Sequence, residues 1–156
     1  MSKDTFIGID PGKTGGLAVI YPDQSWDAVA MPKTVKGIFE WLDMVATEHG
    51  YRTRAYIEKV HSMPGQGVKS MFTFGENYGM LQMALTASRF SYEYVTPRTW
   101  QKSLGVVARK PNETKTQFKT RLLNKAEQLF PYDKITKSTC DALLIAEYGR
   151  RLNSVT

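Results

Sequence analysis

Three short apolar stretches open the chain and each is followed by turn residues. Thr5 to Asp10, Gly15 to Tyr21 and Ser25 to Met31 read as β-strands, with turns at Pro11-Gly12 and Pro22-Asp23, so the chain starts as an antiparallel meander. The apolar period then lengthens. Ile38, Phe39, Trp41, Leu42 and Val45 mark the buried face of a helix from Val35 to about His49, and Gly50 suits its C-terminal cap. Arg54 to Lys59 returns to a buried strand that ends at Glu58, and His61 to Lys69, with Pro64, Gly65 and Gly67, is a loop. A longer helix runs from about Val68 to Ser88. It carries Gly75 and Gly79 four apart, and each glycine costs a soluble helix about 1 kcal/mol relative to alanine. Two on one face point to close packing by another backbone.

Ser91 to Val95 is a further strand. Pro97 to Trp100 starts a short helix, and Val106 to Asn112 is a basic loop. Thr114 and Gln117 form a capping box for a helix that Pro131 closes, and a last helix runs from near Ser138 to about Leu152. Three strands, helix, strand, helix, strand and then helices give an α/β fold. Its five-stranded mixed sheet begins as an antiparallel meander, gains parallel strands and is flanked by helices. No repeat or linker interrupts it, so residues 1–156 are expected to form one domain.

Composition narrows the class. Cys140 is the one cysteine, which rules out a disulfide framework within the chain and fits a reducing cytoplasm. His49 and His61 are the only histidines, so no Cys/His zinc cluster is present. No signal peptide is visible, and no apolar run is long enough to span a bilayer. Net charge is +6. The excess lies in the C-terminal half, where eleven Lys and Arg between Arg89 and Lys137 face only Glu93, Glu113, Glu127 and Asp133. That balance permits nucleic-acid binding without demanding it.

Three carboxylates stand where folding does not need them. Asp10 ends the first strand at the mouth of a glycine-flanked hairpin. Glu58 ends the fourth, and Asp141 sits in the first turn of the otherwise apolar run Ala142-Leu143-Leu144-Ile145-Ala146. Each has an ordinary reading: an Asx turn at Asp10-Pro11-Gly12, an ion pair of Glu58 with Arg54 or Lys59, and a cap in which Asp141 serves its own helix. If the first and fourth strands are neighbours, Asp10 and Glu58 share a sheet edge and Asp141 can reach them from a crossing helix. Such a trio repels itself unless cations neutralise it. Mg²⁺ or Mn²⁺ does so, and two ions about 3.5–4 Å apart are the usual device for in-line attack on a phosphodiester. Gly12-Lys13-Thr14 is not a phosphate-binding P-loop. Only three residues separate Gly8 from Gly12 where that motif needs four, and a hairpin follows instead of a helix.

Gly8-Ile9-Asp10-Pro11-Gly12, Tyr56-Ile57-Glu58-Lys59-Val60 and Asp141-Ala142-Leu143-Leu144-Ile145-Ala146, in this order and spacing, resemble the RuvC-type Holliday junction resolvases in a compact, phage-like form. The resemblance covers essentially the whole chain. It implies a ribonuclease-H-like fold, a homodimer, and Mg²⁺-dependent nicking of two opposing strands of four-way DNA junctions, with Mn²⁺ as a substitute and two ions per site. It also implies a bacterial or phage-infected bacterial cytoplasm. Asp10, Glu58 and Asp141 become the metal-binding catalytic carboxylates. The family places a further acid or a histidine three residues before the last aspartate, where this chain has Ser138. On a helix Ser138 and Asp141 share a face, and a hydroxyl there can hold a metal-bound water but brings no charge.

Lys102, Lys115 and Lys119 resemble the family's basic residues near the active site. Lys115 and Lys119 share a helix face, and Lys119 is the candidate for stabilising charge on the phosphate. Arg121 and Lys125 read instead as a solvated face. The loop after Glu58 matches the family's junction-entering loop, with His61, Met63, Gln66 and Lys69 as DNA contacts. The family dimerises through the helix from about Val68 to Ser88, which accounts for Gly75 and Gly79. Two other readings stay open: a monomeric RNA-processing nuclease on the same fold, and a junction-binding protein without catalysis.

Overall fold

A computed structural model of the chain describes residues 3–61 and 65–154. Five strands form one sheet in the order β3-β2-β1-β4-β5. Strands β1 (Thr5–Asp10), β2 (Gly16–Ile20) and β3 (Trp26–Ala30) are the antiparallel meander. Strands β4 (Thr53–Glu58) and β5 (Ser91–Val95) add in parallel beyond β1. The unbroken apolar character of β1 and β2 follows from this order, since central strands are covered on both faces.

Side chains alternate between two cores, as the strand period requires. On one face Phe6, Ala18, Ile20 and Tyr56 pack with helices α3 (Pro97–Ser103), α4 (Lys115–Leu129) and α5 (Cys140–Leu152). On the other Ile7, Ile9, Leu17, Val19, Ala55 and Ile57 pack with α1 (Val35–His49) and α2 (Val68–Ala87). Thr34 caps α1 by accepting from the Gly37 N–H, and Thr114 with Gln117 forms the expected reciprocal capping box on α4. Each cap is worth about 1 kcal/mol.

Helix α5 lies directly on β1, and glycine permits this. A Cβ at Gly8 would overlap the Ala142 carbonyl and the Ala146 backbone nitrogen, and one at Gly149 would overlap the Tyr56 ring. The approach explains why Ala142 to Ala146 is buried without a polar face.

Two expectations change. Phe39 is off the buried stripe of α1 and 42% exposed, because Ile38, Leu42 and Val45 already fill the face toward the sheet. Helix α5 begins at Cys140, with Thr139 at its N-cap, so Ser138 lies in the preceding turn and the shared helix face with Asp141 does not exist. Among the described residues nothing lies within 4 Å of a Cβ added at Gly75 or Gly79. Around them α2 is unusually apolar outside, with Phe72 71% and Met83 64% exposed. No helix among the described residues is long and apolar enough to cross a membrane.

Candidate active site

Strand register brings the first two carboxylates together. Ile9 pairs with Ile57 across the parallel β1–β4 ladder, so Asp10 and Glu58, the next residue on each strand, end side by side at the C-terminal edge of the sheet. Asp141, in the first turn of α5, completes the group, because α5 is seated on β1 through Gly8. The electrostatics follow from this proximity. Burial, then the charges of Asp141 and Glu58, hold the Asp10 carboxyl well above the usual aspartate range, while Lys119 pulls the other way. Burial likewise pushes Glu58 from 4.5 to about 7; the Trp100 hydrogen bond opposes this, the Asp141 charge adds to it and Lys119 again opposes it.

Lys119 supplies the counter-charge. From α4 its Nζ donates to Asp141 Oδ2 at 2.7 Å. Burial works against this ammonium, but the charge and hydrogen bond of Asp141 prevail and its pKa lies above the usual lysine value. The Cys140 thiol donates to Asp141 Oδ1 at 3.3 Å and is itself pushed up to about 12, by burial first and the Asp141 charge second. Both Asp141 oxygens are thus engaged within the chain, and Asp141 does not cap its own helix.

Two further contacts shape the site. Trp100, fully buried, donates its Nε1–H to Glu58 Oε2 at 2.8 Å. The Gly12 N–H, in the hairpin turn after Asp10, donates to Asn77 Oδ1 of α2 at 2.7 Å. Gly12 has φ +103°, where a side chain is strained, and the Phe74 ring lies 3.0 Å from where its Cβ would be, so the ring would also have to give. Neither Trp100 nor Asn77 was singled out from the sequence as part of a site. The only signal was chemical: a buried indole needs an acceptor, and a buried carboxylate needs a donor.

The other candidate positions are more dispersed. Lys102 is exposed on α3 and borders a cleft of about 650 Å³ with Arg98, Gln101 and residues 105–108. Lys115 is exposed at the first turn of α4, one turn before Lys119. His61, Gln66 and Lys69 are exposed beyond the end of β4, and Met63 lies outside the described residues. Arg121 is more than a solvated side chain. It forms a fork on Glu113, with Nε–Oε1 2.6 Å and Nη2–Oε2 2.9 Å, and donates to the Val107 carbonyl at 3.0 Å. This fastens the basic loop between α3 and α4. Glu147 is paired with Arg150 and Arg151.

Three carboxylates converging from distant segments are hard oxygen donors of the kind Mg²⁺ and Mn²⁺ take, and their mutual repulsion is what such an ion relieves. The Lys119 ammonium stands in for part of that positive charge. Among the described residues, no group of three or more His, Cys, Asp or Glu side chains is arranged as it stands to hold a metal ion.

No family model and no curated protein sequence matches this chain. Solved structures do. The Thermus thermophilus RuvC in complex with a Holliday junction substrate matches over 97% of this chain and 97% of that one, with a TM-score of 0.65 at 15% identity. Another Thermus thermophilus RuvC structure matches over 96% of each chain, with a TM-score of 0.63 at 16% identity. The strand order, the α5 seat on β1 and these full-length matches establish that the chain is built on the ribonuclease-H-like fold of RuvC.

Proposed function

We propose that this chain is a metal-dependent, structure-selective endonuclease that nicks opposing strands of four-way and other branched DNA junctions. The convergence of Asp10, Glu58 and Asp141 at one sheet edge, with Lys119 beside them, carries this reading. The RuvC structure holding a Holliday junction substrate supports the choice of DNA. Residues 1–156 act as one domain, in the cytoplasm of a bacterial or phage-infected cell.

Asp10, Glu58 and Asp141 would hold Mg²⁺, or Mn²⁺ in its place, with two ions per site. Ser138, in the turn before α5, offers only a neutral oxygen. When bound, the metal activates a water and steadies the leaving oxygen. The chain's own groups do the rest. The carboxylates are half-buried, which strengthens their hold on charge. Lys119, beside Asp141, would meet a phosphate oxygen and neutralise charge that develops there. Lys102, Lys115 and Lys69 contact the DNA backbone, and His61, Met63 and Gln66 enter the junction. The exposed apolar face of α2, with Gly75 and Gly79 open for a close approach, supports a homodimer that places two sites on opposing strands.

The test is a synthetic four-way junction and a linear duplex of the same sequence, incubated with Mg²⁺ or with EDTA. Paired nicks on the junction alone, with 5′-phosphate and 3′-hydroxyl ends and none in EDTA, are expected. A retained gel shift without nicking in either metal would favour a junction-binding protein instead. Cleavage of structured RNA by a monomer would favour the RNA-processing reading.

A further inference from the structure

Glu58 differs from the other two carboxylates in what holds it. Asp141 is held by a flexible ammonium and a thiol, whereas Glu58 is held by an indole. Trp100 is fully buried in the core between β4 and the α3–α5 layer, and its single N–H is spent on Glu58 Oε2 at 2.8 Å. The indole has one donor and no acceptor, so it can satisfy only one carboxylate oxygen. It comes from a segment 42 residues further along the chain, so the contact is tertiary.

The helix that carries it is short and firmly placed. Thr96 caps α3 by accepting from the Thr99 N–H, Pro97 fixes its first turn, and Leu104 buries its end. The ring is immobilised by packing, so the direction of its N–H is set before any ligand arrives. Glu58, by contrast, is a long side chain at a strand end, whose backbone restricts its rotamers without fixing one.

From this geometry we infer that Trp100 is a positioning residue, which ties down Oε2 of Glu58 and thereby presents Oε1 to the cation. The inference rests on the metal-binding reading above. Partners of this kind, which orient a ligand without touching the metal, change metal affinity by about 10- to 100-fold when removed. The same helix carries Lys102 on its exposed side, so a phosphate contact and the orientation of Glu58 belong to one rigid element.

Trp100→Phe keeps the ring and removes the donor. Binding of Mn²⁺ alone to the DNA-free chain, followed by calorimetry, is expected to weaken by about 10-fold or more. Thermal unfolding in EDTA reports any general loss of packing separately. In the Glu58→Gln background, the same Trp100→Phe change is expected to cost no further metal affinity. A second measurement does not depend on the variant folding. In the native chain the Trp100 indole N–H resonance, assigned against Trp26→Phe and Trp41→Phe, is expected to shift on titration with Mg²⁺, and not to shift in Glu58→Gln. Native-like Mn²⁺ affinity in a folded Trp100→Phe chain, or an indole resonance that ignores bound Mg²⁺, overturns the inference and leaves the function reading intact. If the native chain binds no Mn²⁺, the metal reading itself falls and this inference with it.

Discussion

Lys119 and Asp141 form an ion pair of 2.7 Å between α4 and α5, and the same ammonium lowers the proton affinity of Asp10 and Glu58. One cation from outside the sheet therefore serves all three carboxylates. Its loss differs from the loss of a surface lysine. Lys119→Gln is expected to slow single-turnover cleavage by about 100-fold, the scale seen when one group opposing transition-state charge is removed. Lys115→Gln, one turn away and exposed, is expected to change it only a few-fold. Equal effects of the two substitutions would place Lys119 among general DNA contacts.

The raised carboxyls give the metal-free chain an unusual pH dependence. Glu58 titrates near 7 in the folded chain against an ordinary 4.5, and Asp10 is shifted in the same direction. Between those values the folded state binds more protons than the unfolded state, so stability falls as pH rises. In EDTA the thermal midpoint is expected to decline from about pH 4.5 to about pH 7, and Mg²⁺ is expected to restore it at the upper end. A midpoint that rises through this window in EDTA would mean that the carboxylates are not crowded together.

Gly8 sets the distance between Asp10 and Asp141, because α5 rests on it. Gly8→Ala forces backbone against backbone and not a movable side chain. A loss of about 3 kcal/mol in urea unfolding is expected, the upper end of the usual overpacking cost. A change within about 0.5 kcal/mol, the range of neutral surface substitutions, would show that α5 has room to slide.

Lys102 borders the cleft along α3 and is exposed. Lys102→Ala is expected to weaken junction binding across sequences and to reduce the slope of log affinity against log salt by about one. An unchanged slope in a salt-titrated gel shift would remove Lys102 from the DNA surface.

Much of this fold follows from local pattern. The apolar strands, the capping box at Thr114 and Gln117, the stop at Gly50 and the apolar run of α5 are all set by neighbours in the chain, and all appear where the periodicity puts them. The carboxylate trio was legible because each acid ends an element or opens one, and strand register then decides its company. The supports of the trio were not legible. Trp100 and Glu58, and Asn77 and Gly12, are side chains meeting a distant partner, and no spacing announces such pairs. Ser138 was misplaced for a related reason. Its proximity to Asp141 in sequence suggested a shared helical face, but Thr139 takes the N-cap and the helix begins one residue later.

The central claim is that Asp10, Glu58 and Asp141 are a metal-holding catalytic set and not a structural cluster. Single-turnover cleavage of a four-way junction by Asp10→Asn, at protein concentrations that saturate binding, addresses it directly. Asn keeps the shape and removes a charge that costs the apo fold stability. The expected result is junction affinity like that of the native chain, a melting point in EDTA equal or higher, and cleavage reduced by at least about 1,000-fold. Cleavage within a few-fold of native by Asp10→Asn, at full junction occupancy, would contradict it.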